Sequence, residues 1–146
     1  MTDVAMLRFS LSQELLSLQG NDYKIEIGQA LNFIQSHSMR RGILNTLAIE
    51  NMIEVIEELL EQIKIDHKVQ RIVLTSDEYM QQLSELFFNH AKEIDRIKLE
   101  HGFNEFVEHI EYYVQKVTAD YIDVLVYFIF IREMMHHLNI IEIKIL

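Results

Sequence analysis

Apolar residues recur every three or four positions along most of this chain. Because an α-helix turns once in about 3.6 residues, this spacing places apolar side chains on one face of a helix. Five such stripes can be traced, over residues 7–18, 23–34, 49–63, 80–97 and 107–128. The last stripe runs into the most apolar segment, VLVYFIFI at residues 124–131, which REMMHHL follows.

Residues that break helices are scarce. Proline is absent, and glycine occurs only at positions 20, 28, 42 and 102. Gly20 and Gly102 fit the ends of the first and fourth helices. The pattern predicts an all-α fold, with residues 1–146 forming a single domain built as a bundle of five or six helices.

Two segments depart from helical spacing. Residues 69–74 have the composition of a strand, but the TSDE sequence after them is typical of a helix start. The tail IIEIKIL, residues 140–146, alternates apolar and polar positions. It predicts a short C-terminal strand or an extended docking segment.

Composition narrows the function classes. The 146 residues include 23 acidic and 13 basic side chains, for a net charge of -10, and no cysteine. An acidic chain disfavours direct binding to nucleic acid, which needs clustered Lys and Arg. The longest apolar run, residues 124–131, is too short to span a bilayer. We expect a cytoplasmic protein with no membrane contact and no cofactor, and the oligomeric state stays open.

The segment REMMHHL supports a metal-site interpretation. Glu133 and His136 are three residues apart, which is the Glu-x-x-His spacing of di-iron helical bundles. Such a site needs a second Glu-x-x-His, and the sequence has none. A metal-binding helical bundle is therefore an alternative and not the leading prediction.

Arg132 and His137 in the same segment have a different spacing, Arg-x4-His. This spacing resembles the motif of the HEPN family of all-helical ribonucleases. The resemblance implies RNA cleavage in a cleft between two copies, with Arg132 stabilising developing charge and His137 acting as general acid or base. A third interpretation needs no chemistry: Arg and His complement the dipole at the C-terminal end of a buried helix.

Glutamates form a stripe on the third predicted helix, and no Lys or Arg occurs from Gly42 through Ile63. The stripe consists of Glu50, Glu54, Glu57, Glu58 and Glu61. Like charges at this spacing each cost a few tenths of a kcal/mol. A second run without basic residues contains Glu105, Glu108 and Glu111. Such segregated charge suits recognition of a basic protein partner.

The leading functional prediction follows from this acidic stripe and from the lack of a catalytic constellation. It is a small acidic helical protein-binding module, most concretely an inhibitor or immunity-type protein that neutralises a basic partner such as a toxin nuclease. A plain solvated helix face and a subunit of a larger assembly are the open alternatives.

Overall fold

A computed structural model describes residues 4–116 and 122–146 and shows a six-stranded sheet packed against helices. The strands are β1 Ala5–Leu11, β2 Leu16–Gln19, β3 Lys24–Ile27, β4 Arg71–Thr75, β5 Glu93–Asp95 and β6 Ile140–Ile145. The described helices are α1 Leu31–Ser38, α2 Thr46–Glu61, α3 Glu78–Phe87, α4 Arg96–Glu108, α5 Ile110–Lys116 and α6 Ile122–His137.

The strands form one mixed sheet in the order β3-β2-β1-β4-β6-β5. The three middle strands, β1, β4 and β6, are parallel to one another. Strands β2 and β3 extend the sheet on one side in antiparallel register, and β5 pairs antiparallel with β6 on the other. Parallel neighbours need helical crossovers between them, and α1 to α6 lie in those connections.

The helices cover one face of the sheet. In β1, Leu7, Phe9 and Leu11 are buried, and the ring of Phe9 lies 6.0 Å from that of Phe130 in α6. Helices α1, α2, α3 and α4 all contact α6, which places them on the same side. The alternate residues of β1, Met6 among them, are exposed on the opposite face. The described part of the chain thus forms two layers.

The predicted all-α bundle is wrong, and its first two stripes show why. Leu7 and Leu11 are four residues apart, so they fit a helix, but Phe9 between them is also buried, as in a strand. Gly20 lies in the tight turn between β2 and β3, where its N–H donates to the carbonyl of Tyr23. The apolar residues of 7–34 therefore form a three-stranded meander followed by α1.

The later stripes divide differently from the prediction. Residues 49–63 coincide with α2 and the residues just after it, whereas 80–97 break into α3, β5 and the start of α4. Gly102 lies inside α4 instead of ending a helix. The alternating tail forms β6, and residues 71–75 form β4. Residues 117–121 of the fifth stripe lie outside the described residues.

The length and apolar composition of the helices bear on the expectation of no membrane contact. Among the helices within residues 4–116 and 122–146, none is both long and apolar enough to cross a bilayer.

Gly102 lies close to the ring of Phe88, so a larger residue here must displace that ring. A Cβ at this position would lie 2.7 Å from Cε1 of Phe88. We expect Gly102→Ala to lower the free energy of unfolding by about 1–3 kcal/mol through overpacking. An exposed helical glycine would instead gain about 1 kcal/mol from the same change.

Urea unfolding of Gly102→Ala, with Gly28→Ala as the control, measures this effect. A Cβ at Gly28 meets nothing within 4 Å, so the control should change stability by less than about 0.5 kcal/mol. Stabilisation by Gly102→Ala would contradict the close packing.

Candidate functional site

A cluster of charged side chains surrounds the C-terminal end of α6, at the segment REMMHHL. We define the Arg132 cluster as Arg132, Glu133, His136 and His137 of α6, Glu57 of α2 and Glu100 of α4. The cluster exists because α2 and α4 both pack against α6. Three helices that are distant in sequence thus bring carboxylate, guanidinium and imidazole groups together.

Arg132 is shared by two carboxylates. Its Nη1 donates to Oε2 of Glu133 over 2.8 Å, and its Nη2 donates to Oε1 of Glu100 over 3.2 Å. The guanidinium also lies over the ring of Phe103, 4.9 Å from the centroid. Glu133 is only 4% exposed. A buried carboxylate without a partner destabilises the fold, so Glu133 depends on the positive charge of Arg132.

The two histidines contact different carboxylates. Nε2 of His136 lies 3.3 Å from Oε2 of Glu100, and Nε2 of His137 lies 3.8 Å from Oε1 of Glu57. His67 lies beside them, with Nδ1 2.6 Å from the carbonyl oxygen of His137. The imidazoles line a shallow cavity together with Arg96 and Asn139.

The pKa values in the cluster respond to these contacts. Burial raises the pKa of Glu100, but the hydrogen bonds and charges of Arg132 and His136 outweigh it, so the net pKa is lowered. Burial lowers the pKa of Arg132, and its two carboxylate partners reverse that shift and raise it. Because the folded pKa of Glu100 is depressed, its contribution to stability is present above the unfolded pKa and is lost as pH falls through the folded pKa.

The structure separates the residues that REMMHHL was expected to combine. Arg132, the proposed ribonuclease residue, is bound to Glu100 and Glu133, whereas His137 turns toward Glu57. Of the proposed metal pair, Glu133 forms a ligand-like group with Glu57 and His137. His136 is directed to Glu100 instead.

The acidic stripe occupies the outer surface of the helix layer. All of its members on α2 except Glu57 are exposed, and Glu57 is half-buried beside His137. Glu105, Glu108 and Glu111 are exposed on α4 and α5. Glu105 also accepts a hydrogen bond from the hydroxyl of Tyr113. The charge segregation seen in the sequence therefore persists as a surface feature.

A second polar group, missed in the sequence, lies where β1 and β4 end. Asp77 accepts hydrogen bonds from the hydroxyl of Ser10 at 3.0 Å, the N–H of Leu11 at 2.9 Å and the hydroxyl of Tyr127 at 2.8 Å. Asp77 precedes α3, but its side chain does not cap that helix. The TSDE sequence signals a helix start, and nothing local signals a contact with Ser10.

The carboxyl ends of parallel strands are where α/β sheets usually hold ligands. Here Asp77 uses three of the acceptor positions of its carboxylate on its own chain. Burial and the negative charge of Asp77 raise the pKa of Tyr127 well above its ordinary value, so its hydroxyl stays a neutral donor. Asp77 therefore ties β1, α3 and α6 together and fills this edge of the sheet.

Removing the Asp77 carboxylate should be costly. Asp77→Ala leaves the buried hydroxyl of Tyr127 and the N–H of Leu11 without their acceptor, and we expect a loss of about 2–4 kcal/mol in the free energy of unfolding. Glu85→Ala removes an exposed carboxylate of α3 and serves as the control.

Chemical denaturation of Asp77→Ala, Glu85→Ala, Tyr127→Phe and the double variant Asp77→Ala with Tyr127→Phe measures these free energies of unfolding. In the Tyr127→Phe background the Asp77→Ala loss should shrink, because the hydroxyl no longer needs an acceptor. An equal loss in both backgrounds would contradict the coupling.

The Arg132–Glu133 pair gives a second stability test. Arg132→Met leaves Glu133 buried without its cation, and we expect a loss of about 3–5 kcal/mol in the free energy of unfolding. The double variant Arg132→Met with Glu133→Leu should recover most of that loss, since no buried charge remains.

Guanidinium unfolding of the single and double variants, with the exposed Lys68→Met as control, measures the pair. A double variant no more stable than Arg132→Met alone would contradict the burial of an ionised Glu133.

The sequence matches no known family model and no curated protein. Comparison with solved structures does find likeness. The PPX-GPPA enzyme of Aquifex aeolicus superposes with a TM-score of 0.72 at 10% identity, over 98% of this chain and 53% of that one. The fold is similar to half of that enzyme.

Two further Aquifex aeolicus structures agree. A Ppx/GppA family member gives a TM-score of 0.70 at 10% identity, over 97% of this chain and 51% of that one. A type II variant of the Ppx/GppA phosphatase gives 0.70 at 9% identity, over 98% and 53%. This chain thus spans about half the length of the structures it matches, and identities this low show the fold alone.

The fold overturns the functional predictions made from the sequence. An all-helical inhibitor or immunity-type protein is wrong, because the chain has a mixed α/β fold similar to phosphatase structures. The HEPN resemblance is wrong for the same reason, since that family is all-helical and Arg132 is held by two carboxylates. The metal-binding helical bundle is likewise not the architecture found.

Proposed function

We propose that this chain is an assembly domain that pairs with a second copy of itself through the uncovered face of its sheet. We call this surface the open face and define it by Met6, Arg8 and Ser10 of β1, Ile72 and Leu74 of β4, and Glu142 and Lys144 of β6. Strand register supports the grouping, because Met6 pairs with Ile72, Arg8 with Leu74, and Leu74 with Lys144.

The proposal rests on a mixed sheet whose parallel centre, β1, β4 and β6, has one uncovered side. All-parallel sheets almost always have both faces covered. Strand β4 has parallel neighbours on both sides, yet Ile72 and Leu74 face away from the helices. Met6 beside them is 42% exposed. A partner on this face would bury apolar side chains that the chain leaves in water.

The charges on the open face favour a second copy as the partner. Arg8 lies on one side of β4, and Glu142 and Glu93 lie on the other, where both contact Lys144. A two-fold axis above the open face and parallel to β4 would place Arg8 of one copy over the acidic side of its partner. An isologous interface needs this kind of self-complementarity.

The size of the face sets the expected strength. The whole uncovered side of the sheet, which includes the open face, is six strands or about 24 Å wide and about 17 Å long over the five residues of β4, so its flat area is about 400 Å². A standard interface buries about 800 Å² on each partner. We therefore expect a reversible dimer with a dissociation constant in the micromolar range, not an obligate one.

The phosphatase activity named for the Aquifex aeolicus structure is a weaker candidate for this chain alone. Asp77 fills the edge of the sheet where a ligand would approach, and Glu78 adds negative charge at the start of α3. Both groups repel a phosphate anion. The chain also spans only about half of that structure.

Two earlier predictions accompany the proposal. A basic protein partner for the acidic residues of α2, α4 and α5 stays a prediction, and its surface lies on the helix layer, separate from the open face. We propose a cytoplasmic location, which the absence of cysteine supports.

Substitution of Leu74 tests the open face. Leu74→Glu places a charge at the centre of the proposed interface, so we expect dimerisation to weaken by at least about ten-fold. Leu47→Glu changes an equally apolar residue of α2, 59% exposed on the helix layer, and should leave dimerisation unchanged.

Sedimentation equilibrium at several concentrations measures both variants and the wild type. A wild type that stays monomeric up to millimolar concentration would contradict the proposal, as would equal effects of the two substitutions. Release of phosphate from a generic phosphomonoester by the monomer would instead favour the phosphatase candidate.

A further inference from the structure

The Arg132 cluster contains more negative charge than its cation neutralises. Glu57, Glu100 and Glu133 contribute three carboxylates, and Arg132 is the one guanidinium among the residues that define the cluster. With neutral imidazoles, two negative charges remain, and Glu133 is almost fully buried. One divalent cation would neutralise the two charges that Arg132 leaves uncompensated.

Three potential ligand atoms lie close together on one side of the cluster. A carboxylate oxygen of Glu57, one of Glu133 and a ring nitrogen of His137 all lie within 4.8 Å of one another. A tetrahedral ion with ligands at about 2.0–2.1 Å needs its ligand atoms about 3.3 Å apart. The 3.8 Å between His137 Nε2 and Glu57 Oε1 is close to that spacing.

Glu133 has the role of a fixed ligand. Arg132 donates to Oε2 of Glu133, and no side chain or backbone group within the described residues donates to Oε1. Arg132 therefore orients this carboxylate through Oε2, and an ion at the site would bind through Oε1. Partner groups that orient a ligand in this way are the usual support of protein metal sites. The carbonyl oxygen of His137 is also tied to His67, which fixes the end of α6.

From these contacts we infer that Glu57, Glu133 and His137 form a binding site for a divalent transition-metal ion such as Zn²⁺. Two carboxylates and one imidazole suit zinc and its neighbours better than Mg²⁺, which prefers oxygen ligands alone. Three protein ligands leave a fourth position for water. The ion would link α2 to α6 and supply the missing positive charge.

A second group of potential ligands provides the matched control. Glu105, Glu108 and His109 also come within 4.8 Å of one another, but all three are exposed. They have the same ligand types without a buried, oriented carboxylate. The inference therefore assigns the ion to the Glu57 group and not to this one.

Isothermal titration of tag-free protein with Zn²⁺ tests the site, with Mg²⁺ titrated in parallel. We expect one Zn²⁺ per chain and no comparable Mg²⁺ binding. His137→Ala and Glu57→Gln should each weaken Zn²⁺ binding by at least about ten-fold, and His109→Ala should leave it unchanged. Glu57 is half-buried, and Gln has nearly the same shape. Glu57→Gln therefore keeps the test possible even if His137→Ala fails to fold.

A thermal melt gives a readout independent of binding heats. At one fixed Zn²⁺ concentration, the unfolding temperature should rise equally for the wild type and for His109→Ala, and clearly less for Glu57→Gln. Absence of Zn²⁺ binding to the wild type overturns the inference. Equal binding by Glu57→Gln, or loss of binding in His109→Ala, also overturns it.

Discussion

Helix α6 contacts both the sheet and the surrounding helices, because every residue from Val124 to Ile131 is buried. A helix that is apolar on all sides must be enclosed by the rest of the molecule. Phe128 has rings of α3 and α4 within 6 Å, and Phe130 stacks on Phe9 of β1. The arrangement of the other elements follows from the need to cover α6.

Helix α6 contributes to two polar groups, the contacts of Asp77 and the Arg132 cluster. Near its start, Tyr127 donates to Asp77 and so joins α6 to the ends of β1 and β4. Near its end, Arg132 and His137 reach Glu100 and Glu57 on neighbouring helices. The first group closes the edge of the sheet where ligands commonly bind, and the second gathers charge on the helix layer. The open face lies on the other side of the sheet from the helix layer.

The sequence predicted the parts of the fold whose signals are local. Helix α2 follows a stripe with no competing strand pattern, and the tail forms β6 as its alternation indicates. The meander of β1 to β3 was misread because Leu7 and Leu11 satisfy both periods. Their burial with Phe9 depends on α6, more than 100 residues later, which spacing alone does not reveal.

In the candidate sites too, residues close in sequence could be recognised, and residues distant in sequence could not. The segment REMMHHL was recognisable because its four polar residues lie within six consecutive positions. Glu57 and Glu100, which complete the cluster, join it only when α2 and α4 pack on α6. Ser10 and Asp77 are 67 residues apart, so their hydrogen bond has no sequence signal.

The role proposed for the open face is contact between two copies of this chain. Methyl NMR with a soluble paramagnetic agent, recorded over a dilution series, tests it most directly. If two copies pair through this face, the methyl groups of Ile72 and Leu74 are protected at high concentration and become accessible on dilution, while Leu47 stays accessible throughout. Full accessibility of Ile72 and Leu74 at every concentration would contradict it.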